Sequence, residues 1–337
     1  MQTTARPMHA ELGLSAEQAV ALYRTMLLAR AIDERQWILQ RQGRQAFVIS
    51  CQGHEAAQVG SAAALRRGVD LMLPYYRDLA AVLAFGATPR DALLEALSRA
   101  DGPWSGGRQM PSHFGSKALR ILTSSSSVGS QIPHAVGAAL AARHRGEASV
   151  AIAYFGDGAT SKADFHEGAN FAAIHKLPVI LFCEDNGLAI SLPLERQMPV
   201  ARVADRAPAY GMPGVVVDGT EVLAVYRATA EAAERARRGE GPTLIDALCV
   251  RLTPHSSDDD HFRYRGRDVV AAERTRDPLP RYRGYLIEHG LLDEGRDQQL
   301  RAEVTAEIEQ ALEAALAAAA PDPGTALQHV FAETPRS

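Results

Sequence analysis

The sequence predicts an α/β fold, a parallel sheet flanked by helices, with helical extensions at both ends. Three observations lead there. Short, wholly apolar runs such as Val150 to Phe155 and Val179 to Phe182 stop abruptly at glycine or acidic-amide turns, as strands buried on both faces do. Segments of helical period alternate with these runs. The stretch from Tyr154 to Ser191 shows the whole unit: strand, Gly156-Asp157-Gly158 turn, a helix carrying Phe165, Ala169, Ala172 and Ala173, a second strand, and a Glu184-Asp185-Asn186 turn. Asp157 and Asn186 then lie just past the carboxyl ends of two strands joined by one crossover helix, where open α/β sheets bind ligands.

Taken in order, Met1 to Leu14 has little periodicity and reads as an N-terminal arm; residues 15–337 read as a single domain with a C-terminal helical extension. Ser15-Ala16-Glu17-Gln18 is a capping-box signature, and the apolar positions that follow, Val20, Tyr23, Leu27 and Ala31, form a helix ended by Gly43. Phe47 to Ser50 is an apolar run before a turn at Gly53 and a helix. His54, at that helix start, suits either a structural role or a ligand. Leu71 to Leu73 breaks into Tyr75-Tyr76-Arg77-Asp78, where Arg77 suits either a bidentate grip on phosphate or an ion pair with Asp78. Ser124 to Ser127 and Val128-Gly129-Ser130-Gln131 form a hydroxyl-rich stretch, readable as linker or as a cation- or ligand-binding loop. A small-residue helix follows from Ile132 to Arg143, which favours anions nearby. Val215 to Val217 and Leu244 to Val250 read as two more buried strands around a helix from Glu221 to Arg238. Arg251 to Arg265 reads as a solvated or mobile active-site loop containing His255. Leu300, Val304, Ile308, Leu312 and Leu316 form one stripe of a final helix that ends before Pro321.

Composition narrows the function classes. The formal net charge is −4 and the pI near 6.3, which gives no reason to expect nucleic acid or an anionic membrane as partner. Cys51, Cys183 and Cys249 lack metal or redox spacing and read as buried thiols in a reducing compartment. The sequence offers no apolar run of about 18 residues and no basic-then-apolar leader, so the expectation is a cytoplasmic protein.

The two turns carry specific chemistry. One carboxylate (Asp157), one amide oxygen (Asn186), a backbone carbonyl and phosphate oxygens make an octahedral shell for Mg²⁺. A dinucleotide fingerprint is the rival, but the third glycine of GxGxxG is missing and an acid occupies its second position, which repels a pyrophosphate unless a metal intervenes. The pair of turns is identified as the diphosphate-and-magnesium motif of thiamine-diphosphate enzymes.

With the segments GGRQMPSHFGSK, SQIPHAVGAA, GDGATS and PHSSDDD followed by YR, the chain from about residue 15 to 335 resembles the α chain of the thiamine-dependent 2-oxo acid dehydrogenases, closest to the branched-chain type. The resemblance implies a thiamine-diphosphate-binding fold and the following roles. Asp157, Asn186 and the Leu188 carbonyl bind Mg²⁺. Tyr76 and Arg77 hold the diphosphate, with Gly156, Gly158 and Ala159 beside it, while Ser126 and Val128 lie against the aminopyrimidine. Ser125, Ser127, Ser130 and Gln131 surround a potassium ion. His255 and Arg251 are the catalytic candidates, His255 serving acyl transfer to lipoamide with an unperturbed pKa near working pH.

The sequence also departs from the family. Glu184 stands where the animal branched-chain relative has an arginine on the diphosphate, and a carboxylate cannot grip phosphate. Leu188 replaces Tyr, Ser127 replaces Pro and Val128 replaces Leu. Ser256 matches a serine phosphorylated in the animal relatives, but a phosphate beside Asp258, Asp259 and Asp260 would be repelled. The implied activity is oxidative decarboxylation of branched-chain 2-oxo acids, 3-methyl-2-oxobutanoate foremost, and acyl transfer to a lipoyl domain of an acyltransferase core. Pyruvate or acetoin dehydrogenase α chains are the alternative substrates' enzymes, and a silent scaffold subunit the alternative class. The implied partner is a β chain in an α₂β₂ heterotetramer. That chain supplies the carboxylate needed on the aminopyrimidine, so the α chain alone is expected to be inactive.

Overall fold

The computed structural model describes residues 6–331 except 124 and 329; Ser124 of the hydroxyl-rich stretch and residues 1–5 of the arm lie outside the described residues. Helix α1 (Met8–Glu11) is short but anchored. His9 is buried and its ring nitrogen meets the Tyr285 hydroxyl at 2.8 Å, so the expected arm packs on the body from Met8 onward. Helix α2 (Ala16–Arg41) opens on the foreseen capping box, in which Ser15 accepts from the Gln18 amide and Gln18 returns the bond. Phe47 to Ser50 forms no strand; Val48 instead exchanges backbone and hydroxyl bonds with Ser257, tying this run to the His255 loop. The chain then forms α3 (Glu55–Ala63), β1 (Leu71–Leu73), α4 (Leu79–Phe85), α5 (Pro89–Ala96) and α6 (Gln131–His144).

The central unit follows as β2 (Ala151–Gly156), a 3₁₀ turn at Asp157–Ser161, α7 (Ala163–Ile174) and β3 (Val179–Asp185). A small antiparallel hairpin, β4 (Leu188–Ala189) and β5 (Leu192–Pro193), leads into α8 (Leu194–Gln197). After β6 (Gly214–Val217), α9 (Val222–Arg237) and β7 (Thr243–Leu248) come α10 (Arg267–Arg274), α11 (Pro278–Glu288) and α12 (Glu294–Ala317).

Five strands pair in the order β1-β2-β3-β7-β6, all parallel. Alternate strand residues feed two cores. Met72, Ile152, Tyr154, Ile180, Phe182 and Ile245 face helices α2, α3, α4 and α9. Leu73, Ala153, Phe155, Leu181 and Cys183 face Ile132 and Val136 of α6 and Phe165 and Ala169 of α7. Each large side chain buried this way stabilises the fold by roughly 1.5–3 kcal/mol. One expectation is corrected: β6 is not buried but an edge strand with alternating exposure, Val216 pointing to solvent. A run of three valines satisfies an edge as well as a centre, because only neighbouring strands distinguish the two. The three cysteines are free and buried, as read from their apolar surroundings.

Candidate active site

The parallel register places Gly156 beside Glu184, so β2 and β3 end level and deliver Asp157 and Asn186 side by side at the carboxyl edge of the sheet. A Cβ on Gly158 would lie 2.7 Å from the Ala189 Cβ; only glycine lets the β4–β5 hairpin close over the turn. Between these elements lies a cavity of about 360 Å³ lined by Tyr75, Tyr76, Arg77, Ser126, Val128, Gln131, Gly156, Asp157, Gly158, Ala159, Asn186, Leu188, Ala189, Ile190, Arg251 and His255. The cofactor-side residues read from the sequence thus meet in one place. A cavity of similar volume between α2, α11 and α12 holds Arg30, Arg283 and Arg301, but these are neutralised by Asp277 and Asp297.

The electrostatics of the first cavity differ. Arg77 is buried, but it does not pair with Asp78. Its Nη1 donates to the Ser50 carbonyl at 2.5 Å and its Nη2 reaches the Nδ1 and carbonyl oxygen of His255, each at 3.3 Å. Arg251 is equally buried; its Nη2 donates to the Ile190 carbonyl and the Tyr264 hydroxyl, both at 2.9 Å, while Nε and Nη1 have no partner. None of these partners is a carboxylate. Burial, and then the charge of Arg77, pull the Arg251 pKa down. Two desolvated guanidiniums on one cavity demand an anion.

Opposite them, Asp157 accepts from Gln197 Nε2 at 2.6 Å, and burial with the nearby Asp185 charge raises its pKa to about 6. Asn186 Oδ1 is buried without a partner. A carboxylate and an orphaned amide oxygen facing two free cationic groups fit a diphosphate bridged by a hard divalent ion. Among the described residues there is no cluster of three or more His, Cys, Asp or Glu that would hold a metal without such outside oxygens.

His255 accepts from Arg77 at Nδ1, which leaves the proton of the neutral ring on Nε2. Burial, then Arg77 and Arg251, lower its pKa to about 4. This modifies the expectation from the ordinary histidine value: without an anion the imidazole stays neutral. Its loop is ordered by Asp259, which accepts from the His255 amide at 2.8 Å and from the Tyr264 hydroxyl. Ser256 is buried in the same loop.

Ser126 lines the cavity with its hydroxyl 2.6 Å from His113 Nε2. Because His113 Nδ1 sits on the Met110 and Pro111 carbonyls, Nε2 is the acceptor, and Ser126 turns its lone pairs outward. Ser125, Ser127 and Ser130 share one turn: the Ser127 amide donates to Ser125 Oγ at 3.1 Å, and Ser130 Oγ to the Ser127 carbonyl at 2.9 Å. Gln131 differs from these three, since its Nε2 caps the Tyr154 carbonyl at 2.7 Å and its Oε1 is unpartnered on the cofactor cavity.

Sequence reasoning missed Tyr75, Gln197, Ala189 and Ile190. The hairpin residues carried one signal, a β-branched residue after the Asn186 turn; Ile190 adopts φ 57, a conformation that costs a branched side chain energy. Glu184 does not face the cavity. It is fully buried beneath it, where His54, Gln58 and Tyr75 donate to its carboxylate.

Comparison with known proteins agrees with this geometry. The profile of the family described as "Dehydrogenase E1 component" matches residues 23–324. The chain is 54% identical over 325 residues, 96% of its length and 98% of the relative's, to the 2-oxoisovalerate dehydrogenase subunit alpha of Bacillus subtilis. It is 44% identical to the 3-methyl-2-oxobutanoate dehydrogenase subunit alpha of Mycobacterium tuberculosis, covering 83% of this chain and 74% of that one. To the pyruvate dehydrogenase E1 component subunit alpha of Staphylococcus aureus it is 39% identical, over 90% of this chain and 79% of the relative.

Proposed function

The chain belongs to the dehydrogenase E1 component family, and from that premise we propose that it is the α chain of a 2-oxo acid dehydrogenase acting on branched-chain substrates, 3-methyl-2-oxobutanoate above all. The higher identity to the bacterial branched-chain subunits (54% and 44%) than to the pyruvate subunit (39%) favours that substrate. Family membership implies thiamine diphosphate as cofactor and a β chain as partner. The α₂β₂ assembly, the lipoyl acceptor domain, Mg²⁺ and K⁺ are parts of this proposal, as is one domain over residues 15–337.

The carrying observation is the meeting on one cavity of two buried guanidiniums, Arg77 and Arg251, whose hydrogen-bond partners include no carboxylate, with the Asp157 carboxylate and the orphaned Asn186 oxygen. Arg77 and Arg251 take the diphosphate charge, and Tyr76 packs beside them with the Arg77 guanidinium 5.7 Å from its ring centre. Asp157, Asn186 and the Leu188 carbonyl would hold Mg²⁺. Ser126 accepts from the aminopyrimidine. When bound, the cofactor supplies the electron sink for loss of CO₂. His255 offers Nε2–H toward the reacting end, and it can take up a second proton more readily once the anion offsets the arginines. Potassium, where present, belongs in the Ser125–Ser130 turn.

The test is co-expression with the neighbouring β chain, thiamine diphosphate and Mg²⁺, comparing 3-methyl-2-oxobutanoate with pyruvate on an artificial electron acceptor. Preference for the branched acid supports the reading; preference for pyruvate overturns the substrate, and full turnover by the α chain alone overturns the shared site.

A further inference from the structure

Beneath the cavity floor lies a chain of buried polar groups that no catalytic step uses. His54 and Glu184 are both wholly buried, with His54 Nδ1 2.6 Å from Glu184 Oε2. The same carboxylate oxygen receives Gln58 Nε2 and the Tyr75 hydroxyl, each at 3.0 Å. Three donors converging on one oxygen make Glu184 an acceptor only. Since that oxygen only accepts, His54 Nδ1 is the donor in this contact, and the neutral ring presents the Nε2 lone pair on its other side. The neighbour of Nε2 is the Asn186 amide nitrogen, at 3.4 Å. With Nδ2 donating there, the amide cannot flip: a flipped side chain would set its oxygen against the Nε2 lone pair. Oδ1 is left on the other side, buried and without a partner, on an amide that lines the cavity beside Asp157.

We propose that Glu184 and His54 form a positioning relay that locks the Asn186 amide with its oxygen turned to the metal. The inference rests on the reading of the cavity as a thiamine diphosphate and Mg²⁺ site, and it gives Glu184 a role that direct phosphate contact cannot. The backbone makes room for the relay. Gly53 has φ +95, and a Cβ there would stand 2.1 Å from the Val250 carbonyl oxygen, so the Ser50–His54 turn can press His54 against β3 only with glycine at 53. Outer groups that orient a metal ligand are worth about 10–100-fold in metal affinity when removed.

The experiment separates the two ends of the imidazole. His54→Gln places an amide oxygen where Nε2 was and keeps an acceptor for Asn186. His54→Asn keeps a donor to Glu184 but does not reach Asn186. Each α variant is co-expressed with the β chain, and Mg²⁺ is titrated calorimetrically at fixed thiamine diphosphate, with kcat and the substrate KM measured at low and saturating Mg²⁺. His54→Asn is expected to raise the half-saturating Mg²⁺ by about 10–100-fold, with KM unmoved and kcat recovered by excess Mg²⁺. His54→Gln should stay near the unchanged complex, and Glu184→Gln should fall between. Equal behaviour of the Asn and Gln variants overturns the relay, as does a loss that excess Mg²⁺ does not restore. A thermal melt of each cofactor-free complex distinguishes unfolding from misplaced ligation. If the unchanged complex itself binds no Mg²⁺ with thiamine diphosphate, the reading of the site falls and takes the relay with it; if it binds and the variants are indifferent, only the relay falls.

Discussion

The cavity has two walls built by different means. The wall of Asp157 and Asn186 is fixed by backbone pairing: six matched positions between β2 and β3 run to Gly156 and Glu184, and the strands are buried on both faces. The wall of Arg251 and His255 lies beyond β7, outside the sheet, tied by two backbone bonds to residues 48 and 52 and otherwise by side-chain bonds, Asp259 to Tyr264, Tyr264 to Arg251, and Arg265 to the Arg251 carbonyl. The first wall is organised before any ligand arrives. The second carries a buried guanidinium, Arg251, with two nitrogens free for an anion. The site pairs a rigid platform at the strand ends with a phosphate clamp whose guanidiniums have no carboxylate partner.

The largest effect is expected on the clamp. Arg77→Leu removes one of two desolvated cations, and truncating a charge that a buried anion needs costs about 2–5 kcal/mol, so pyrophosphate binding measured by calorimetry should weaken on the order of 100-fold. Arg77→Lys keeps the charge without the fork and should recover only part of it. Unchanged binding in the Leu variant would mean the anion sits elsewhere.

A second test uses His255 as a reporter of the clamp. Its pKa in the ligand-free chain lies near 4 against an ordinary value near 6.5, through burial and then Arg77 and Arg251. The depressed value makes a contribution to stability that is whole above about pH 6.5 and is lost as pH falls toward 4. An anion that offsets the two arginines should move the imidazole titration, followed by NMR, upward. No movement with pyrophosphate would show that the arginines do not contact it.

The same contrast explains what could be read from sequence. The strand-end wall was legible because apolar runs, Gly156-Asp157-Gly158 and the Asn186 turn lie close together, and parallel pairing turns that order directly into position. The β6 edge was misjudged because its three valines say nothing of how many neighbours a strand has. Arg77's pairing was undecidable for a related reason: Asp78, its neighbour in sequence, turns instead to the Tyr75 amide, while the Arg77 partners Ser50 and His255 come from distant segments. Gln197 and the His54–Glu184 contact span 40 and 130 positions, and no local pattern carries such pairings.

On the platform side, Gly158→Ala tests whether the hairpin must close. The added Cβ meets Ala189 Cβ at 2.7 Å, and overpacking of this kind costs about 1–3 kcal/mol. Chemical denaturation should show that loss, with Mg²⁺-dependent cofactor binding weakened alongside it. A neutral effect would show that the β4–β5 hairpin moves freely and is not part of the platform.

The smallest expected effect is the one most specific to the second wall. The Tyr264 hydroxyl donates to Asp259 and accepts from Arg251, so it links the His255 turn to Arg251. Tyr264→Phe removes no packing and leaves Asp259 on the His255 amide. Its equilibrium cost should be about 1.5 kcal/mol, the low end for a hydrogen bond to a charged group, because Arg251 keeps the Ile190 carbonyl. That cost is confined to one segment, so amide hydrogen exchange over residues 251–265 should quicken while β2 and β3 stay as protected as before. Pyrophosphate should restore much of the protection, because it engages Arg251 independently of Tyr264. Equal loss of protection on both walls would mean that the two halves unfold together, and the distinction between platform and clamp would not hold.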